Sequence, residues 1–269
     1  MPWGTVKLND GTSIPGIGFG TGRIPKELTA DRVEQAISVG LIHVDTSPVY
    51  CNEEQVGKAI RGSGLNRSEI YITTKYAAFD PDNSRVDVLT SVNNSLKRLG
   101  VSYIDLYLIH HYQAAIPDIP TVWRQMEEVQ AKGLVRSIGV SNFEVHHLEI
   151  LLASAKVLPV VNQIELHPYA YARQKPILDY AAEHNIVIGS YYPLFSIIKR
   201  PGGPLDKPLK TIASRLQATD DQVLLAWAKA KGAVVNTTSS KKNRLEGYVT
   251  AGDLELEYGD VAALDEAGR

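Results

Sequence analysis

With 269 residues, 44% hydrophobic and 22% charged, the chain is longer than an ordinary small domain, normal for one α/β barrel and able to bury a sizeable core. A formal charge of −2 gives no overall drive toward nucleic acid or an anionic membrane, and no uncharged apolar run approaches the roughly 20 residues of a membrane helix. The single cysteine, Cys51, excludes an intrachain disulfide framework, and Met1-Pro2-Trp3-Gly4 begins no signal-peptide core, so a cytoplasmic protein is expected.

The chain opens with a predicted hairpin: Thr5-Val6-Lys7-Leu8, the turn Asn9-Asp10-Gly11, then Thr12-Ser13-Ile14. Asp-Gly supplies the positive φ that a tight hairpin turn requires, and this piece is placed as a cap on one end of the fold. From Gly16 onward, short apolar runs alternate with amphipathic stretches. Residues 16–20 read as a first strand whose glycines allow close backbone approach. A helix over 28–39 puts Val33, Ala36 and Ile37 on one face and stops at Gly40. Strand 42–45 is followed by a helix over 53–60, and strand 70–75 by a helix over 85–99 carrying Val88, Val92, Leu96 and Leu99. Strand 104–110 precedes a helix over 120–132. Strand 135–141 precedes one with Val145, Leu148, Leu151 and Leu152, and strand 160–165 one through Ile177, Tyr180 and Ala181.

Strand 186–191 leads into residues 199–204, which are dense in turn formers and read as a mobile loop. Helices follow over 209–216 and 221–231, the second with a capping box from Thr219 to Gln222. An eighth strand covers 232–237, the last barrel helix starts at Lys241, and a final helix covers 261–267. Eight strand–helix pairs without a composition break predict one (β/α)8 barrel domain over residues 1–269, with the N-terminal hairpin as its cap. A doubly wound sheet with a second domain is the weaker alternative.

Four residues carry the chemistry. Asp45 closes strand 42–45, Tyr50 lies five residues on, Lys75 ends strand 70–75 and His110 ends strand 104–110. The C-terminal ends of parallel barrel strands form the catalytic face. A carboxylate, a phenol, an amine and an imidazole there suit proton delivery to a carbonyl oxygen. A free phenol, with a pKa near 10, is a poor acid at neutral pH. A neighbouring ammonium stabilises the phenolate and eases release of the proton. Lys75 can supply that charge, Asp45 can hold Lys75, and His110 can donate to the substrate oxygen. Each residue alone has an ordinary alternative: Tyr50 as a packing residue, Asp45 and Lys75 as a structural ion pair, His110 as a core histidine. Four such residues on neighbouring strand ends favour the catalytic reading.

In these segments the chain resembles the aldo-keto reductases: Gly18-Phe19-Gly20-Thr21-Gly22, the run from Asp45-Thr46-Ser47-Pro48-Val49-Tyr50 to Glu53, Asp105 to His110, Ile138-Gly139-Val140-Ser141-Asn142-Phe143, and Asn162-Gln163-Ile164-Glu165-Leu166-His167-Pro168. The resemblance implies reduction of an aldehyde or ketone with NADPH, Tyr50 being the acid, and a nicotinamide dinucleotide bound without a Rossmann fold. No Gly-x-Gly-x-x-Gly fingerprint in the proper context is present. The resemblance also implies Tyr191 stacked on the nicotinamide, Ser141, Asn142 and Gln163 on its carboxamide, Gly20 and Thr21 beside the cofactor, and Leu194 and Ser196 near its pyrophosphate. The ordinary alternative for Tyr191, a strand-end aromatic in the core, is the weaker reading in its Tyr-x-Pro-Leu context. Thr238, Ser239 and Arg244 lie where backbone N–H groups at a helix start, hydroxyls and a guanidinium suit the 2′-phosphate. Lys241-Lys242 also reads as a solvated surface pair.

The chain departs from the family pattern in several places. Thr237-Thr238-Ser239 replaces Pro-Lys-Ser, and Tyr248 stands where an adenine-binding asparagine is expected, so weaker discrimination between NADPH and NADH is expected. Gly22 and His111 occupy positions where many members have tryptophan, leaving Tyr76, Tyr112 and Tyr192 as candidate wall aromatics. The sequence ends soon after its last helix, without the long closing loop of many members. A wide pocket follows, open to bulky ketones, diketones, ketolactones or cyclic imines beside aldehydes. No catalytic metal is expected from His110-His111 or His146-His147, because adjacent helical residues point roughly 100° apart. Cys51 has no evident activating neighbour. The competing functional class is a nicotinamide-binding regulatory subunit of the same fold that senses redox state.

Overall fold

In the computed structural model, which describes residues 2–269, the eight apolar runs form a closed parallel barrel. Its strands are β3 (Ile17–Gly20), β4 (His43–Asp45), β5 (Tyr71–Tyr76), β6 (Ile104–Ile109), β7 (Val135–Ser141), β8 (Val161–Glu165), β9 (Val187–Tyr191) and β10 (Val234–Thr237). They pair in chain order, and β10 closes against β3 with Val235 opposite Ile17. The strands are buried nearly throughout because they are covered on both sides. β6, for example, is buried at every position. Around them run α1 (Lys26–Ser38), α2 (Glu53–Gly62), α3 (Val88–Leu99), α4 (Ile119–Ala131), α5 (Val145–Leu152), α6 (Pro168–Glu183), α7 (Phe195–Lys199), α8 (Asp206–Leu216), α9 (Asp220–Ala230), α10 (Lys242–Thr250) and α11 (Tyr258–Ala267). Among the described residues, no helix is long and apolar enough to cross a membrane.

The hairpin, β1 (Thr5–Lys7) and β2 (Ser13–Pro15), plugs the N-terminal end of the barrel. Leu8 and Ile14 pack there with Leu106, Leu108, Val160, Val161 and Val234. Asn9 Nδ2 donates to the carbonyls of Pro159 (3.0 Å) and Asn185 (3.1 Å), and Ser137 Oγ donates to Asp10 (2.6 Å). Trp3 Nε1 donates to the Tyr248 carbonyl at 2.8 Å. One end of the barrel is thus sealed, which leaves the strand C-termini as the open face.

Several boundaries differ from the sequence expectation for local reasons. α3 starts at Val88 rather than 85 because the Asp87 side chain accepts the Thr90 N–H at 2.7 Å and caps it. α10 starts at Lys242, and α11 already at Tyr258 behind a capping box from Glu257 to Asp260. The segment expected to be a mobile loop forms hydrogen-bonded turns. Lys199 ends α7, the Leu205 N–H donates to the Tyr169 hydroxyl (3.3 Å), and the Gly202 N–H donates to Asp206 (2.8 Å).

Candidate active site

Asp45, Lys75 and His110 emerge from β4, β5 and the end of β6, while Tyr50 ends a 3₁₀ turn, Pro48–Tyr50, closed by Cys51 at φ 58°. The four converge. The Lys75 ammonium is fully buried, bonded to Asp45 and to the Thr46 carbonyl (2.9 Å). The second oxygen of Asp45 accepts from Gln163 Nε2 at 2.8 Å. Lys75 Nζ lies 5.2 Å from the Tyr50 ring centroid, and the His110 ring stands edge-on to Tyr50 with centroids 5.6 Å apart.

Burial pushes the Tyr50 phenol above its ordinary pKa, and the Lys75 charge works against that rise. The net direction leaves the phenol protonated at neutral pH, with a cation beside it to stabilise the phenolate as the proton departs. Burial, the largest single influence, acts to discharge Lys75, but Asp45 and Tyr50 together outweigh it and the net direction is upward. Burial, followed by the Lys75 charge, pulls His110 down to about 3, so its imidazole is neutral. His110 Nδ1 lies 3.0 Å from the Ser47 hydroxyl. With Ser47 donating, the ring proton sits on Nε2, where it can donate to a substrate oxygen. Ser47 was missing from the sequence reading. Its signal was a small hydroxyl in the loop after the Asp45 strand.

A cavity of about 790 Å³ opens above these groups. Of the expected residues it is lined by Gly20, Gly22, Asp45, Tyr50, His110, Ser141, Asn142, Gln163, Tyr191, Tyr192, Leu194 and Thr238. Tyr191 is fixed by donating its hydroxyl to Asn142 Oδ1 (2.7 Å), and Asn142 Nδ2 donates to the His110 carbonyl (2.9 Å). Ser141 Oγ donates to the Gln163 carbonyl at 2.8 Å. These bonds hold Tyr191 and the three polar side chains as one preformed wall. Ser196, expected near the pyrophosphate, is not among the lining residues; its Oγ is buried and has no hydrogen-bond partner among the described residues. A cleft with an aromatic wall and amide groups, one of them the unpartnered Asn236 Oδ1, therefore fits a nicotinamide dinucleotide.

Other expected residues lie elsewhere. Thr21 is fully buried, its hydroxyl tied to Thr46 Oγ1 (2.9 Å) and the Asp45 carbonyl (3.2 Å), so it braces the site from behind. Tyr76 is no wall of this cavity. Side chains alternate along a strand, so with Lys75 turned into the site Tyr76 turns out to the helices, its hydroxyl on the Val86 carbonyl at 3.2 Å. His111 and Tyr112 line a neighbouring cavity of about 590 Å³ that shares Asn142 and Tyr191. Ser239 and Arg244 lie outside the cavity lining, at the start of α10, with Arg244 exposed. Tyr248 is buried in the core, where burial pushes its phenol up to about 12. The lining also contains Thr237, noted above as a departure from the family pattern, and Arg23, Phe195, Ile198, Lys199 and Asn236, which were not expected at the site.

The divergence expected of His146 and His147 does not hold: their ring centroids lie 3.8 Å apart at the start of α5. With Glu144 their ligand atoms fall within 4.8 Å of one another, the arrangement a metal would need. His147 Nδ1, however, already accepts the Glu144 N–H at 3.2 Å.

The model of the Aldo/keto reductase family matches residues 3–269. The NAD/NADP-dependent indole-3-acetaldehyde reductase of Schizosaccharomyces pombe is 36% identical over 265 residues, covering 95% of this chain and 91% of that protein. Methylglyoxal reductase DkgA of Escherichia coli is 37% identical over 268 residues, covering 98% and 94%. Among solved structures, a Bombyx mori aldo-keto reductase in complex with NADP superposes with a TM-score of 0.89 at 32% identity, over 98% of this chain and 92% of that one. An aldo/keto reductase from Brucella melitensis gives 0.87 at 35% identity, over 98% and 99%.

Proposed function

The chain belongs to the aldo/keto reductase family, and on that premise we propose that it reduces an aldehyde or ketone with NADPH, Tyr50 giving the proton. The observation that carries the reading is the contact set around Tyr50: a buried ammonium 5.2 Å from its ring, held by Asp45, with neutral His110 beside it. NADPH supplies, when bound, a hydride for the carbonyl carbon. Tyr191 would stack on the nicotinamide, Ser141, Asn142 and Gln163 would hold its carboxamide, Leu194 and Ser196 would flank the pyrophosphate, and Arg244 would meet the 2′-phosphate from the start of α10. His110 Nε2–H orients the carbonyl oxygen, and Tyr50 protonates it as negative charge develops there. Lys75 stabilises the resulting phenolate, and Asp45 keeps Lys75 charged.

The open wall at Gly22 supports bulky ketones, diketones, ketolactones or cyclic imines as substrates beside simple aldehydes. We place the activity in one barrel domain over residues 1–269, in the cytoplasm, with small molecules rather than nucleic acid as its partners. The test is NADPH oxidation followed over a carbonyl and imine panel, with NADH in parallel and Tyr50→Phe as control. Tyr50→Phe keeps the ring and loses the proton, so turnover should fall by at least ~10² with NADPH affinity unchanged. Turnover at the wild-type rate would remove Tyr50 as the acid.

A further inference from the structure

The main cavity has an unbalanced charge. Its lining includes two cationic side chains, Arg23 and Lys199, and one carboxylate, Asp45. Asp45 is fully engaged by Lys75 and Gln163. Among the described residues, neither Arg23 nor Lys199 forms an ion pair.

Arg23 is also held in place. Its backbone is in the left-handed region at φ 66°, which residues other than glycine and asparagine rarely adopt. Its guanidinium lies 5.2 Å from the ring centroid of Tyr192, itself left-handed at φ 56°. The ring contact uses none of the guanidinium's N–H donors, which stay available to a ligand. The neighbouring Gly22 stands against the proton donor: a Cβ there would sit 3.3 Å from Tyr50 Cζ. Arg23 thus borders the cavity at the end where the carbonyl would react.

We propose that Arg23 is a specificity-determining residue that selects carbonyl substrates carrying a carboxylate several bonds from the reacting carbon, an inference that rests on the reductase reading above. A cofactor pyrophosphate is the other anion such a cation could meet. The approach of its neighbour Gly22 to Tyr50 favours the substrate, and because Tyr192, which the guanidinium meets, stands two residues before Leu194, the experiment separates the two anions.

The experiment compares wild type with Arg23→Gln on 4-carboxybenzaldehyde and the neutral 4-nitrobenzaldehyde, with the Kd for NADPH measured by fluorescence quenching. Loss of one solvent-accessible charged contact should lower kcat/KM for the carboxylated aldehyde about five- to tenfold, mainly through KM. The neutral aldehyde and the NADPH Kd should stay within about twofold, a change too small for a charged contact. The wild-type KM for the carboxylated aldehyde should rise with added salt, and that of the variant should not. A weaker NADPH Kd with equal losses on both aldehydes would assign Arg23 to the pyrophosphate and overturn the proposal. An unchanged ratio of the two aldehydes would do the same. If wild type reduces neither aldehyde, the reductase reading itself fails. Calorimetric titration with 4-(hydroxymethyl)benzoate in the presence of NADP then still decides, since only binding that is weakened by Arg23→Gln supports the role.

Discussion

Replacing Asp45 by asparagine tests the electrostatic core of the site. Lys75 is fully buried and has two oxygen partners in the fold, the Asp45 carboxylate and the Thr46 carbonyl at 2.9 Å. The amide would keep the shape and lose the charge, leaving a cation in a low-dielectric pocket. Breaking one side of a buried ion pair typically costs about 3–5 kcal/mol, because the survivor is uncompensated. Asp45→Asn should therefore lose about that much stability in urea denaturation at pH 7. Relief comes from discharge: without Asp45, burial drives Lys75 downward in pKa, and turnover should decline as pH rises through the lowered value. Adding Lys75→Met removes the stranded charge. The double variant should be more stable than Asp45→Asn alone and remain inactive at every pH. The assays are urea denaturation of wild type, both single variants and the double variant, and the pH profile of kcat. If the double variant gains no stability over Asp45→Asn, Lys75 is not a stranded cation and the account of Tyr50 activation fails with it.

Arg244→Ala should weaken NADPH about tenfold and spare NADH, the lower end for a charge-assisted bond because Arg244 is exposed. Equal Kd changes for the two cofactors would place the 2′-phosphate elsewhere. Gly22→Trp should lower kcat/KM for a bulky cyclic ketone about tenfold more than for a small aldehyde. An equal loss on both would mean that the new side chain displaces Tyr50, whose Cζ lies 3.3 Å from the added Cβ position. His43 is buried and pulled down to about 4 from 6.5, chiefly by burial. The folded state resists its protonation, so stability is fully present above pH 6.5 and falls as pH drops toward 4. The drop corresponds to about 3 kcal/mol, and His43→Gln should flatten the stability curve over that window by up to that amount. An unchanged slope in acid would refute it.

The barrel was legible because short runs with apolar residues alternate with helical faces eight times, and the four reactive residues stand at or just after strand ends. The cavity wall was less legible. Tyr76 was grouped with the pocket by adjacency, although strand alternation from Lys75 already turns it outward. Thr21 was grouped with the cofactor through its neighbours, while its hydroxyl is engaged by Thr46 and the Asp45 carbonyl. Phe195, Ile198 and Lys199 were missed because they sit on a helix of five residues, too short to show a period. Arg23 was hidden because its placement depends on a left-handed backbone that no local sequence rule assigns to arginine.

The plug at the closed end has a consequence for biosynthesis. Trp3 donates to the carbonyl of Tyr248, a contact spanning 245 residues, and Asn9 reaches Pro159 and Asn185. At ribosomal speeds of about 5–20 residues per second, the first-made segment waits roughly 10–50 s for its last partner to be translated. Through that interval Trp3, Leu8 and Ile14, all buried in the finished protein, have no completed surface to cover them. The order in which the ribosome delivers the chain is thus opposed to the order in which the barrel can be closed. The leading end of the nascent chain gains its native cover only when the trailing end arrives.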